Sequence, residues 1–209
     1  MIDAISLKTA HLLGDALPAA HRLRYDIFVE RQKYDVPSWQ GMEWDQFDTP
    51  AAEYLLWRDD EGRVRAVARL ISTSRPYMIA ELWPELVETG EVPASDDIWE
   101  VSRVGIDRRL DAATRARVLS EMFCALAEFG LESGVRAYVF VTPPRIIDAG
   151  LVAAGIDVRR LGAPKRLGRL PVVAAQSFVS HGGLIKLRRY HRIAYPVLRI
   201  AGRLDALAA

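Results

Sequence analysis

Residues 98–106, Ile-Trp-Glu-Val-Ser-Arg-Val-Gly-Ile, followed by the helical pattern of Ala112–Ser133 and the compact run Ala137-Tyr138-Val139-Phe140-Val141, decide the fold class. The first and third runs have strand character, and Thr142-Pro143-Pro144 cuts the third off. The long pattern between them stops at Gly134, a residue suited to a helix C-terminus. Outward toward the N-terminus, Tyr54–Trp57 and Val64–Ile71 form two strands joined by the turn residues Asp59-Asp60-Glu61-Gly62. Before them, Val36–Gly41 breaks periodicity as a loop, and Ala19–Arg31 spaces Leu23 and Ile27 as an amphipathic helix, with Pro18 just ahead of its start. Outward toward the C-terminus come a short helix through Leu151–Ala154 ending at Gly155, a last strand from Pro171 to Val179, and a tail helical until Pro196. Strands with one long helix among them, out of strict alternation, predict an α/β (α+β) sandwich with a mixed central sheet flanked by helices. Residues 1–182 form one domain in this reading, and 183–209 a basic, apolar extension packed on it.

The chain has 209 residues, enough for a core without disulfide or metal staples. The lone Cys124 sits in an apolar helical run, as a structural thiol does. No signal-peptide pattern and no apolar run of membrane-spanning length is visible, so the cytoplasm is the expected compartment. A net charge of +1 hides an asymmetry: from Val158 to Leu204 there are eleven Lys or Arg and no acid. The rest of the chain is acidic. Such a basic region is either a solvated face or a dock for an anionic partner.

Chemistry concentrates in two stretches. Glu43-Trp44-Asp45-Gln46-Phe47-Asp48 and Trp99-Glu100-Val101-Ser102-Arg103 place acids among aromatic and apolar neighbours. Buried carboxylates need partners. Arg24, Arg69 and Arg103 are positioned to supply them, because a guanidinium grips a carboxylate with two parallel hydrogen bonds. An exposed acidic turn is the plainer alternative for Asp45 and Asp48. In a regular strand Glu100 and Ser102 face one way and Val101 and Arg103 the other; a bulge would bring Glu100 and Arg103 to one cleft. A desolvated Glu100 suits a general base. There is no phosphate-binding glycine loop, metal-ligand cluster or nucleophile elbow, and the four histidines lie outside both acidic stretches. Direct transfer between two positioned substrates therefore fits better than covalent or metal catalysis.

Taken in order, Arg24-x-x-x-Phe28, Glu43-x-Asp45-x-x-Asp48, Arg69-Leu70, Tyr77-Met78 before Trp83-Pro84, and Trp99-Glu100-x-Ser102-Arg103 closely resemble the acyl-homoserine-lactone synthases of bacterial quorum sensing. The resemblance runs from about residue 1 to 180 and makes 1–182 the synthase domain. It implies a fold related to the GNAT-superfamily N-acetyltransferases and no cofactor or metal. S-adenosylmethionine would be the amine donor, an acyl carrier protein or CoA would bear the acyl group, and methylthioadenosine would be released. By the same resemblance, Arg24, Phe28, Tyr34, Asp45, Asp48 and Arg69 bind S-adenosylmethionine, and Glu100, Arg103 and Asp45 are catalytic. Ser102 and Thr142 would line the acyl pocket. The basic C-terminal region would dock the acyl carrier, with no nucleic-acid partner. Tyr34 departs from the family's usual tryptophan; a smaller ring with a hydroxyl weakens a cation contact. It leaves open a related N-acyltransferase that uses another amine, such as an amino acid, while a nucleic-acid or acidic-protein binding module would leave the acidic stretches without a purpose.

Overall fold

The computed structural model describes residues 1–168 and 170–202; Arg169 and residues 203–209, with Arg203 and the end of the basic extension, lie outside the described residues. The strands are β1 (Ile2–Ser6), β2 (Ser38–Trp39), β3 (Met42–Glu43), β4 (Glu53–Arg58), β5 (Val64–Ser72), β6 (Ile98–Ile106), β7 (Ala137–Thr142), β8 (Val158–Arg160), β9 (Lys165–Leu167), β10 (Leu170–Phe178) and β11 (Leu198–Ile200). The helices are α1 (Ala16–Arg24), α2 (Met78–Leu82), α3 (Ala112–Ser133), α4 (Pro144–Ile147) and α5 (His181–His191). The main sheet runs β11-β1-β4-β5-β6-β7-β10-β8, with β9 paired to β10 and β2–β3 a separate hairpin. Only β1/β11 and β6/β7 pair in parallel among the described strands, so the sheet is mixed, as expected.

Both faces of the sheet are covered. On one, α1 and α2 pack Leu23, Met78 and Ile79 against Tyr54, Leu56, Val67 and Ile71. On the other, α3 and α5 pack Met122, Phe129 and Leu187 against Leu55, Trp57, Leu70 and Val101. Strands buried on both sides have no polar face to show, which is why β4 and β5 appear as nearly continuous apolar runs. Cys124 is buried on α3, and burial pushes its thiol up to about 12. Asp111 caps α3 by accepting from the Thr114 amide at 2.9 Å, and Gly134 ends it with φ 70°.

Five expectations change, the loop expected over Val36–Gly41 among them, since it holds the short strand β2 (Ser38–Trp39) of the β2–β3 hairpin. The helix predicted over Ala19–Arg31 starts at Ala16, takes Pro18 into its first turn and gives way after Arg24 to a π-helical turn, Tyr25–Arg31. Such turns add a residue per turn and redirect the side chains that follow; here the turn lies so close to β6 that a Cβ on Gly105 would come within 2.6 Å of Ile27. The helix predicted at Leu151–Ala154 begins earlier, as α4 and a second π-helical turn, Asp148–Val152. The strand from Leu170 is not the last, because β11 follows α5 and pairs with β1. The tail helix stops at His191, before Pro196, where Arg192 takes the left-handed conformation.

Candidate active site

The loop after β3 turns through Asp45–Asp48, with the Asp48 amide donating to the Asp45 carbonyl at 3.1 Å and the Asp45 amide donating to the Asp48 carboxylate at 2.9 Å. This folds the acids of 43–48 inward toward three arginines from three elements: Arg24 at the end of α1, Arg69 in β5 and Arg103 in β6. Arg24 donates Nε to Glu43 at 2.5 Å and clamps Asp48 with both terminal nitrogens at 2.7 and 2.8 Å. Arg69 clamps Asp45 at 2.5 and 3.1 Å and reaches Asp48 at 3.0 Å. Arg103 reaches Glu43 at 3.1 Å and Asp45 at 2.7 Å. Each arginine thus holds two acids and each acid two arginines. The six close into one ring, Glu43–Arg24–Asp48–Arg69–Asp45–Arg103, with three charges of each sign.

Burial makes that balance necessary, since an unpaired charge here would be left desolvated. Arg24, Glu43 and Arg69 have no exposed surface. Paired with two arginines, the Asp48 carboxyl lies far below the ordinary carboxylate range, even though desolvation alone would raise it. Tyr54 donates to Asp48 at 2.8 Å, and burial beside that carboxylate pushes its phenol well up. The open rim is at Arg103 and Asp45, whose side chains are 11% and 5% exposed. Beyond it stand Phe28, with the Arg103 guanidinium 5.5 Å from its ring centroid, and Tyr34, stacked on Phe28 at 6.2 Å and 37% exposed.

Of the two arrangements open for this strand, the bulge is the one present. β5 and β6 pair Val67 with Gly105 and then Arg69 with Ser102, so Arg103 and Val104 together oppose Ala68. Arg103 there has φ 52°, a left-handed backbone that an arginine rarely adopts. The kink turns its side chain from the face of Val101 toward the ring. Ser102 Oγ accepts from Arg69 Nε at 3.2 Å. Glu100, 2% exposed, accepts the first amides of α2, from Met78 at 3.1 Å and Ile79 at 2.9 Å. Its carboxyl is pushed up by burial, against the opposing pull of those amides and of Arg69 and Arg103. β6 and β7 pair from Ile98/Ala137 only as far as Glu100/Val139 and then part, so Glu100 marks the fork of a cleft. Thr142 lies at the far end of β7, paired across to Val173 on β10, half-buried and without a bond to the ring.

The structure therefore brings Arg24, Asp45, Asp48, Arg69 and Arg103 into one network, sets Phe28, Tyr34, Ser102 and Glu100 around it, and leaves Thr142 apart. Sequence reasoning assigned no role to Glu43, a full member of the ring; its place at the head of the acidic stretch was the available signal. It also set His21 apart from the acidic residues. His21 in fact stacks on Trp44, with ring centroids 3.4 Å apart, and bonds the Glu43 carbonyl.

The autoinducer synthase family profile matches residues 11–182. An acyl-homoserine-lactone synthase of Pseudomonas aeruginosa is 30% identical over 85% of this chain and 91% of its own length. The isovaleryl-homoserine lactone synthase of Bradyrhizobium diazoefficiens is 33% identical over 100% of this chain and 93% of its own. A CoA-dependent acyl-homoserine lactone synthase solved with S-adenosylmethionine and isopentyl-CoA superposes with a TM-score of 0.86 at 30% identity, covering 98% and 95% of the two chains. An N-acetyltransferase from Lactobacillus plantarum, 16% identical with a TM-score of 0.56, shares the fold. Ring, cleft and matched sequence agree: this chain belongs to the autoinducer synthase family, the acyl-homoserine-lactone synthases.

Proposed function

We propose that the open rim of the ionic ring holds the methionyl part of S-adenosylmethionine, that an acyl thioester enters the cleft between β6 and β7, and that Glu100 accepts the proton released when the two react. The observation that carries this is the closed ring, neutral within itself and exposed only at Asp45 and Arg103, beside the fork marked by Glu100. The substrate ammonium faces Asp45, its carboxylate faces Arg103, and the sulfonium lies against the rings of Phe28 and Tyr34.

The α-amino nitrogen, once deprotonated toward Glu100, attacks the thioester carbonyl. A C–N bond forms, the C–S bond breaks, and the thiol of the carrier leaves. The substrate carboxylate then attacks the carbon bearing the sulfonium. A C–O bond closes the lactone while the C–S bond breaks and methylthioadenosine departs. Ser102 holds Arg69 in place beside the acyl cleft, and Thr142 meets the acyl chain at its far end.

An acyl-CoA is the first donor to try, because the CoA-dependent synthase solved with isopentyl-CoA superposes over 98% of this chain. A carrier-protein donor is the second to try. α5 carries Lys186 and Arg189, and Arg192 follows at its end, with no acid among them, beside exposed Ile185 and Tyr190. Acidic proteins and CoA phosphates both suit such a face. We assign the reaction to the cytoplasm, where its substrates are made; no helix among the described residues is long and apolar enough to cross a membrane.

Mass spectrometry of reactions with S-adenosylmethionine and a panel of acyl-CoAs and acyl carrier proteins tests the reading. The expected result is methylthioadenosine with an acyl-homoserine lactone, from one donor class. An acylated amine without methylthioadenosine would favour another amine substrate and point to Tyr34. No binding of S-adenosylmethionine would overturn the reading.

A further inference from the structure

α1 holds the acidic stretch with two residues. Arg24 takes its carboxylates; His21, three positions earlier on the same helix face, takes its backbone. The imidazole is fully buried, its Nδ1 lies 2.8 Å from the Glu43 carbonyl, and its ring lies 14° from parallel with Trp44. The edge of Tyr54 stands 5.9 Å away. A carbonyl only accepts, so Nδ1 carries the hydrogen and Nε2 is bare. Nε2 has no hydrogen-bond partner, and burial together with Arg24 outweighs the pull of the Glu43 and Asp48 carboxylates, which keeps the imidazole neutral. The groups that face the ring are Arg24, Glu43, Asp48, Trp44 and Tyr54.

In an extended segment alternate side chains point the same way, so Glu43 and Asp45 reach together while Trp44 points back. Glu43 and Asp45 are the two acids that hold Arg103, whose left-handed backbone supplies no stability of its own. The bond to the Glu43 carbonyl and the stack on Trp44 hold that segment from behind.

We propose that neutral His21 is a positioning residue for the substrate rim: it fixes the Glu43–Trp44–Asp45 segment and, through it, the direction of Arg103 and Asp45. The inference rests on the reading of that rim as the site for S-adenosylmethionine. Two variants separate the hydrogen bond from the packing. His21→Phe keeps an aromatic ring against Trp44 and removes the donor. His21→Asn keeps a donor where Nδ1 stood and removes the ring.

Calorimetric binding of S-adenosylmethionine and thermal melting of both variants form the test. The expected dissociation constant rises about tenfold in His21→Phe, the scale of one lost buried hydrogen bond, and stays within about threefold in His21→Asn. Melting temperatures should rank the other way, His21→Phe above His21→Asn, since the phenyl ring retains the buried contact. Affinity that follows melting temperature would reduce His21 to a packing residue and overturn the inference. Unchanged affinity in His21→Phe would do the same. Wild-type protein that fails to bind S-adenosylmethionine would defeat the reading of the rim itself, a result distinct from either.

Discussion

The two faces of the sheet both bury carboxylates, and they satisfy them in different ways. On the α3 face, Glu128 accepts backbone amides from Val197 and Leu198 at 3.0 and 2.8 Å, with one bond from Arg188, and Glu121 accepts the Trp57 indole at 2.7 Å. On the α1 face, Glu43, Asp45 and Asp48 meet arginines, two apiece. Backbone and indole donors are fixed by the fold and pin a carboxylate to one place. Guanidinium groups bring charge as well as hydrogen bonds, so a closed ring of them can admit a charged guest at its rim by exchanging partners. The same kind of side chain fastens one face and, in the function proposed above, prepares the other for a ligand. Glu100 lies between the two cases. It is held by amides, as Glu128 is, yet it stands beside the arginines.

The largest expected effect comes from breaking the ring. Arg24→Ala leaves Glu43 and Asp48 each short of a partner in a buried site and should destabilise the chain by about 3–5 kcal/mol, measured by urea unfolding. A loss below about 1 kcal/mol would mean that the ring is not a cooperative unit. Next, Glu100→Gln should lower kcat about a hundredfold while binding of S-adenosylmethionine changes less than about threefold. Near-normal turnover would move Glu100 to the side of Glu128, an anchor for α2 and nothing more. Glu128→Ala should lower stability by about 1–3 kcal/mol, again by urea unfolding, and leave affinity for S-adenosylmethionine unchanged. A weakened affinity there would break the division between the faces. The smallest effect is in pH. Burial raises the Glu100 carboxyl above its ordinary 4.5, and a base works only when deprotonated, so kcat/KM should fall on acidification along a limb centred above pH 4.5. That limb should be missing from the residual activity of Glu100→Gln.

Much of this was legible in the sequence because it is local. Val64–Ile71, Ile98–Ile106 and Ala112–Ser133 appear in the fold with the same bounds or one residue more, each having a clean period and a turn or cap residue at its end. The ring's arginines and aspartates were visible as charges out of place among apolar neighbours. What escaped notice is non-local or departs from regular geometry. β11 is three residues long and exists only because β1 lies beside it. The π-helical turn keeps a helix-like pattern while changing the direction of its side chains, so periodicity cannot announce it. His21 belongs to the site through a stack with a residue 23 positions away, which no spacing rule along α1 reveals.

The pairing of β1 with β11 has a consequence for how the chain is made. Asp3 and Arg199 are 196 positions apart in sequence and joined by a 2.6 Å hydrogen bond. At a synthesis rate of roughly 5–20 residues per second, β1 waits roughly 10–40 s on the ribosome for the strand that closes its outer edge. During that interval a row of backbone donors and acceptors on β1 is available to any neighbouring nascent chain. The slower the ribosome between the codons for β1 and those for β11, the longer that edge stays open, so codon usage there should influence how much of the chain is recovered folded rather than aggregated.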